Sequence, residues 1–273
     1  MMKEKNRRLS CYKIMIALGL YDMASIWINS LLTGYLWIIG ANYCSNPNLI
    51  YASGAVAIGL WCGACMICLV LVINRLLDVW NRPLMQMLFN DNRTYVLLLI
   101  PFFYSLFFCF FTPPLIFNSD KSSWYFYTFT PNHSQKEFTS YPHTANNLLI
   151  VVITCILYVQ YSRILLRYSK GGIRTQLSFA QKSFFLQCTT ICMISFACAM
   201  IYVYMQFFPT PSYFVHIGHI TWQLENGFPA FVYLFLNRTI QREALTLLRL
   251  RKPVKPKALV LIISSSANNV TCQ

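Results

Sequence analysis

Two acidic residues stand where charge is expensive: Asp22 and Glu225 each lie inside a long apolar run. A carboxylate in hydrocarbon must face a hydrated or polar interior, so each is a candidate for function. Glu225 has Gln223, Asn226 and Pro229 close by. Proline lacks an N–H and kinks a helix, which frees backbone carbonyls for other partners. Together these residues could form a polar switch or a ligand contact. The alternative is that neighbouring hydroxyls, amides or water hold each acid, which then only fixes helix packing. Neither acid has a basic partner within the helices, so a proton or ion relay has little support.

Metal and catalytic chemistry fare worse. Most of the eleven cysteines lie inside apolar runs, where a thiol acts mainly as a small packing residue. Cys62, Cys65 and Cys68 share a helix face at metal-like spacing, but no histidine lies in that run and the second CxxC of a zinc ribbon is missing. His216 and His219 form an HxxH without the glutamate or third ligand of a metallohydrolase, and read as polar residues at the interface. No nucleophile, base and orienting group are spaced to suggest an enzyme. No cofactor is implied.

The elements that position these residues are six apolar blocks, at 13–39, 49–77, 95–116, 147–168, 183–208 and 213–236. Each reaches the ~20 residues a helix needs to cross hydrocarbon. The fold class is therefore all-α, a polytopic membrane helical bundle with six transmembrane helices. Twenty Lys and Arg fall on the side that carries the N-terminus, whereas only Lys121 and Lys136 fall on the other. Cytoplasmic loops retain positive charge, so both termini are expected in the cytosol. The net charge of +14 then belongs to anionic lipid beside the helix ends and not to nucleic acid. Met1 to Tyr21 begins like a secretory signal, but more apolar sequence follows Asp22 without a clear cleavage site, as in an uncleaved first helix.

The organisation expected is a basic cytosolic N-terminus at 1–12, a bundle at 13–237, an amphipathic helix on the inner leaflet or a plain helical extension at 238–250, and a tail at 251–273. Residues 117–146 form one long polar, aromatic connection on the outer side, from which a ligand would enter. It holds the sequon Asn132-His133-Ser134, which would face the lumen. Further sequons at Asn92, Asn237 and Asn269 fall on the cytosolic side and should stay bare.

Several spaced motifs carry a family resemblance. Gly40-Ala41-Asn42-Tyr43-Cys44 with Pro47 and Tyr51, Ile73-Asn74-Arg75, Arg93-Thr94-Tyr95 leading to Pro101, and Phe111-Thr112-Pro113-Pro114 with Phe117-Asn118-Ser119 come in order. Tyr141-Pro142-His143 with Asn146-Asn147, and Gly227-Phe228-Pro229 through Tyr233 to Asn237-Arg238-Thr239-Ile240, extend the series. Over about residues 11 to 245 the chain resembles the nematode serpentine receptor class T family, chemosensory-type seven-helix receptors. Its six blocks correspond to helices 2–7 of a rhodopsin-like receptor, with the first helix apparently absent.

The resemblance implies roles residue by residue. Arg75 resembles the arginine at the cytosolic end of the third receptor helix, which contacts the G protein when the bundle opens. Asn74 stands where an acid is usual, and Asp78, one turn on, is the substitute partner. Asp22 resembles the second-helix aspartate of a polar cluster with the last helix. Pro229 and Tyr233 resemble that helix's proline and tyrosine at a spacing one residue longer than usual. Cys44 takes the place of an outer cysteine, yet 117–146 offers it no partner. A helix from Cys44 to Arg75 would be roughly 46 Å long, more than a bilayer of about 40–45 Å, which puts Cys44 in a loop.

The function expected is binding of an unknown small molecule from the outer face and signalling to a heterotrimeric G protein at the plasma membrane. Tyr213, Trp222, Gln223 and Glu225 are the candidate pocket, and Asp22, Asn226, Pro229 and Tyr233 the candidate switch. A small-solute transporter or channel would instead show repeated halves and broken helices, and no repeat is seen. A non-signalling receptor fragment is the other alternative.

Overall fold

The computed structural model describes residues 9–130, 133, 134, 136–170 and 179–248. Six long helices pack side by side: α1 (Ser10–Ile38), α2 (Pro47–Trp80), α4 (Arg93–Phe111), α5 (Tyr141–Lys170), α6 (Phe179–Phe207) and α7 (Ser212–Leu236). Two short helices lie at one end, α3 (Arg82–Phe89) and α8 (Arg238–Leu247). A two-stranded antiparallel hairpin, β1 (Ile116–Asn118) and β2 (Ser123–Tyr125), caps the other, with Phe117 opposite Trp124. These are called the basic end and the hairpin end below.

Among the described residues, α1, α2, α4 and stretches of α5 and α6 are long and apolar enough to cross a membrane. The sixth helix, α7, runs 25 residues, about 37 Å, which also exceeds a hydrocarbon core of about 30 Å. Its polar side chains dilute its apolar character, but they turn inward: His219, Glu225 and Asn226 are buried, while Ile220, Leu224, Phe231 and Phe235 are exposed. An outward belt of this kind is what lipid requires, since backbone groups are satisfied within each helix and only side chains meet hydrocarbon.

The helix α2 is the hub. In its most apolar stretch 72% of residues are buried, against 17% in α4, which gives Leu99, Phe103, Phe107 and Phe110 to the outside. Small residues let α2 approach its neighbours closely. A Cβ at Gly59 would sit 2.8 Å from the Ser105 carbonyl oxygen of α4, and one at Gly54 would run into the Leu115 carbonyl.

Several expected boundaries shift. The block 95–116 becomes a helix that stops at Phe111, because Thr112-Pro113-Pro114 removes two N–H donors, and Ile116 enters a strand. The connection 117–146 is shorter than expected: it holds the hairpin, and α5 begins at Tyr141. The loop after α2 contains α3, started by Asn81, whose side chain accepts the Leu84 N–H at 3.1 Å, with a proline in the first turn. At 238–250 the helix α8 spans Arg238–Leu247 and is strongly amphipathic. Residues 1–8 and 249–273, with most of the expected termini, lie outside the described residues.

Inside α1 the segment Trp27–Leu32 is π-helical. The wider turn buries Asn29, and Thr33 donates to the Ile28 carbonyl at 2.8 Å. The core divides in two. At the hairpin end Trp61, Phe117, Trp124, Phe126, Tyr202 and Trp222 pack together. Towards the basic end Met15, Leu18, Ile67, Leu71, Ile191 and Tyr233 do so.

Candidate functional site

The helix α7 turns one polar stripe inward. His219, Trp222, Glu225, Asn226, Pro229 and Tyr233 are all buried, at intervals of three and four that return to the same helix face. Asn226 donates to the Trp222 carbonyl at 2.8 Å. Pro229 is accommodated without ending the helix, and its missing N–H leaves the Glu225 main-chain carbonyl without the usual i→i−4 donor. His219 packs edge-on against Trp222 within the bundle, so it is not the interfacial residue expected; its neighbour His216 is exposed and contacts the Ser212 carbonyl.

Glu225 is 4% exposed and accepts a 3.0 Å hydrogen bond from Ser195 of α6. Asp22 of α1 is 6% exposed and close enough to Glu225 to feel its charge. Cys68 of α2 and Tyr233 lie within the same electrostatic reach of Asp22. Among the described residues Asp22 Oδ1 and Glu225 Oε2 have no hydrogen-bond partner. Acids so placed carry a large desolvation penalty that packing alone would not require. Asp22 and Glu225 thus lie within electrostatic reach across the bundle although 203 positions separate them.

The other expected pocket residues divide. Gln223 donates to the Asn29 carbonyl of the π-helical turn at 2.8 Å, which ties α7 to α1. Trp222 lines a small cavity of about 10 Å³ with Trp61, His143 and Tyr202, room for about one water. Tyr213 is 68% exposed at the first turn of α7 and lines neither this cavity nor the next. The hairpin is tied to the helices by side-chain bonds. Trp124 is fully buried and donates to Thr33 of α1 at 2.8 Å, and Tyr125 donates to the Met205 carbonyl of α6 at 3.0 Å.

A larger cavity of about 240 Å³ runs between α2, α5 and α6, from Asn147 past Ser195 to Ser162. Cys65 and Cys68 form its back wall, and exposed Cys155, Met193 and Phe196 its mouth. At its hairpin end the Trp61 N–H donates to Asn147 Oδ1 at 2.9 Å, and Tyr104 of α4 donates to Asn146 at 2.9 Å. Ser195, Trp61 and Asn147 were not singled out from the sequence as site residues; a hydroxyl or an indole in an apolar run carries no mark of its partner.

At the basic end Arg75 lies where α1, α2, α5 and α6 converge. It donates to Asn74 at 2.9 Å and stands 3.9 Å from Asp78, the substitute partner expected. Cys11, Tyr161 and Cys188 are within its electrostatic reach. Asn74 in turn donates to Ser10 at 3.0 Å. The sequon residue Asn132 lies outside the described residues. Cys44 is exposed in the loop before α2. Cys62, Cys65 and Cys68 are buried in helix packing, and among the described residues no group of three metal-ligating side chains comes together.

Comparison with known proteins agrees with this architecture. The profile of the family described as serpentine type 7TM GPCR chemoreceptor Srt matches residues 1–257. Serpentine receptor class T-55 of Caenorhabditis elegans is 30% identical over 267 residues, covering 94% of this chain and 71% of the relative. No solved structure matches the chain. A helical membrane bundle with inward acids and a capped end, matched along nearly its whole length, places the chain in the Srt family of serpentine, GPCR-like chemoreceptors.

Proposed function

We propose that the chain is a chemosensory receptor that binds a small molecule within the bundle and passes the change to a heterotrimeric G protein at its basic end. What supports the reading is a buried polar thread through otherwise apolar packing. It runs from Trp222 at the small cavity, through Glu225 with Ser195 and Asp22, to Tyr233, which lies within electrostatic reach of Cys188. Cys188 is within the same reach of Arg75. Buried ionisable groups in a membrane are retained where they do work.

In this reading the ligand shifts α6 against α7, and the Ser195–Glu225 bond is the contact that changes. Asp22, Asn226, Pro229 and Tyr233 are the switch. Arg75 leaves Asp78 to meet the G protein, with α3 and α8 flanking it on the inner leaflet. The basic end and both termini are cytosolic, the hairpin end faces outward at the plasma membrane, and Asn132 carries a glycan. The segments 1–12 and 251–273 are a basic cytosolic lead and tail, with 13–237 as the receptor bundle.

Membranes holding the receptor and a panel of heterotrimeric G proteins test this. Nucleotide exchange on one of them should exceed that of receptor-free membranes and rise with a responding small molecule. Arg75→Ala should lower it about tenfold at an unchanged surface level, within the range of coupling energies between sites. Exchange that no G protein shows, with the receptor present and folded, would refute the signalling role.

A further inference from the structure

At the hairpin end Phe117 and Trp124 are fully buried, while a cavity of about 240 Å³ opens on the flank of the bundle between α5 and α6. We propose that this groove takes an elongated, mostly apolar molecule bearing one hydrogen-bond donor, which enters from the bilayer and not from the aqueous outer face.

Three observations carry the assignment. The mouth is apolar and lies in the lipid-facing belt: exposed Met193 and Phe196 of α6 and Cys155 of α5 rim it, beside exposed Ile156 and Val159. The shape is long and narrow. From Asn147 to Ser162 the groove follows α5 for about 22 Å, most of a hydrocarbon core of about 30 Å. A volume of about 240 Å³ spread over that length suits a chain and excludes a peptide or a bulky polar solute. The third is the polar foot. Ser195 lines the groove and donates to Glu225, whose Oε2 is buried and has no partner among the described residues. The Ser195 hydroxyl oxygen would accept from a donor on the ligand while Ser195 donates to Glu225, or the ligand's donor would replace Ser195 on Glu225; either changes the contact that the receptor reading makes responsive. The inference deepens that reading by naming the class of ligand.

The test reads occupancy without any G protein. The full chain in phosphatidylcholine nanodiscs is exposed to a diazirine-bearing hexadecanol, irradiated, and mapped by mass spectrometry. Adducts should concentrate on groove residues such as Tyr158 and Met193, saturate with probe, and be competed about tenfold better by hexadecanol than by its methyl ether, which lacks the donor. Ser195→Ala should bring the two competitors together. Ala199→Phe, on the buried wall, should reduce labelling about tenfold; Cys155→Trp, at the exposed mouth, should do so without touching the core. Labelling spread evenly over lipid-facing residues including Phe103 and Phe107, or insensitive to competitor and to both bulky variants, overturns the proposal. So does equal competition by alcohol and ether. Saturable groove labelling without ligand-stimulated nucleotide exchange upholds the groove and defeats the G-protein reading.

Discussion

The two ends of the bundle are built by different chemistry. At the hairpin end large aromatic side chains are fully buried, and several loop contacts involve the main chain: Ser119 N–H donates to the Ala41 carbonyl at 3.0 Å, and the Tyr125 hydroxyl to the Met205 carbonyl at 3.0 Å. At the basic end short main-chain contacts, such as Thr94 donating to the Phe89 carbonyl at 2.7 Å, stand beside longer side-chain ones that include an ion pair. Arg75 and Asp78 stand at 3.9 Å, and Tyr12 donates to Asn237 at 3.5 Å. Partly exposed ion pairs contribute about 0–1 kcal/mol, so they exchange partners readily. Buried aromatic packing does not, because truncation of such a side chain costs about 3–5 kcal/mol. In the receptor reading proposed above, the hairpin end stays closed and the basic end rearranges.

That contrast can be broken first where it is strongest. Trp124→Ala should empty a fully buried site and remove the bond to Thr33, and lower stability by about 3–5 kcal/mol, read as a fall in the melting temperature of detergent-solubilised protein. Gly54→Ala should follow with about 1–3 kcal/mol, since the added Cβ meets the rigid Leu115 carbonyl. Gly34→Ala, where a Cβ meets nothing within 4 Å, should leave the melting temperature unlowered. At the other end Arg75→Ala should change stability by less than about 1 kcal/mol, yet strip coupling as described above. Asn132→Gln should have the smallest structural effect, abolishing a glycosidase-sensitive gel shift while leaving the melting temperature in place.

Much of the bundle is legible in its amino acids, because a membrane demands long apolar runs and allows few exceptions. The exceptions Asp22 and Glu225 were readable as inward-facing for the same reason. What escapes sequence reasoning depends on partners distant along the chain. Ser195 is one serine among many until α6 brings it to Glu225, thirty positions away. The π-helical turn at Trp27–Leu32 contains no proline or glycine to mark it. Strands of three residues are too short for a period, so the hairpin was hidden in an aromatic loop. Tyr213 shares α7 with Trp222 but is exposed. It falls outside the buried stripe that begins at Val215 and continues through His219. The helix α3 lies between two apolar blocks and was not anticipated, although Asn81 with Pro83 two residues on is a helix-opening pattern.

The division of labour between the ends requires that they face opposite sides of the membrane, with Arg75 in the cytosol. Epitope tags placed before Met1 and after Gln273 test this most directly in cells that display the receptor. Both tags should bind antibody only after permeabilisation, whereas a tag inserted beside Asn132 should bind on intact cells. Staining of either terminal tag on intact cells would put Arg75 on the wrong side and contradict the account.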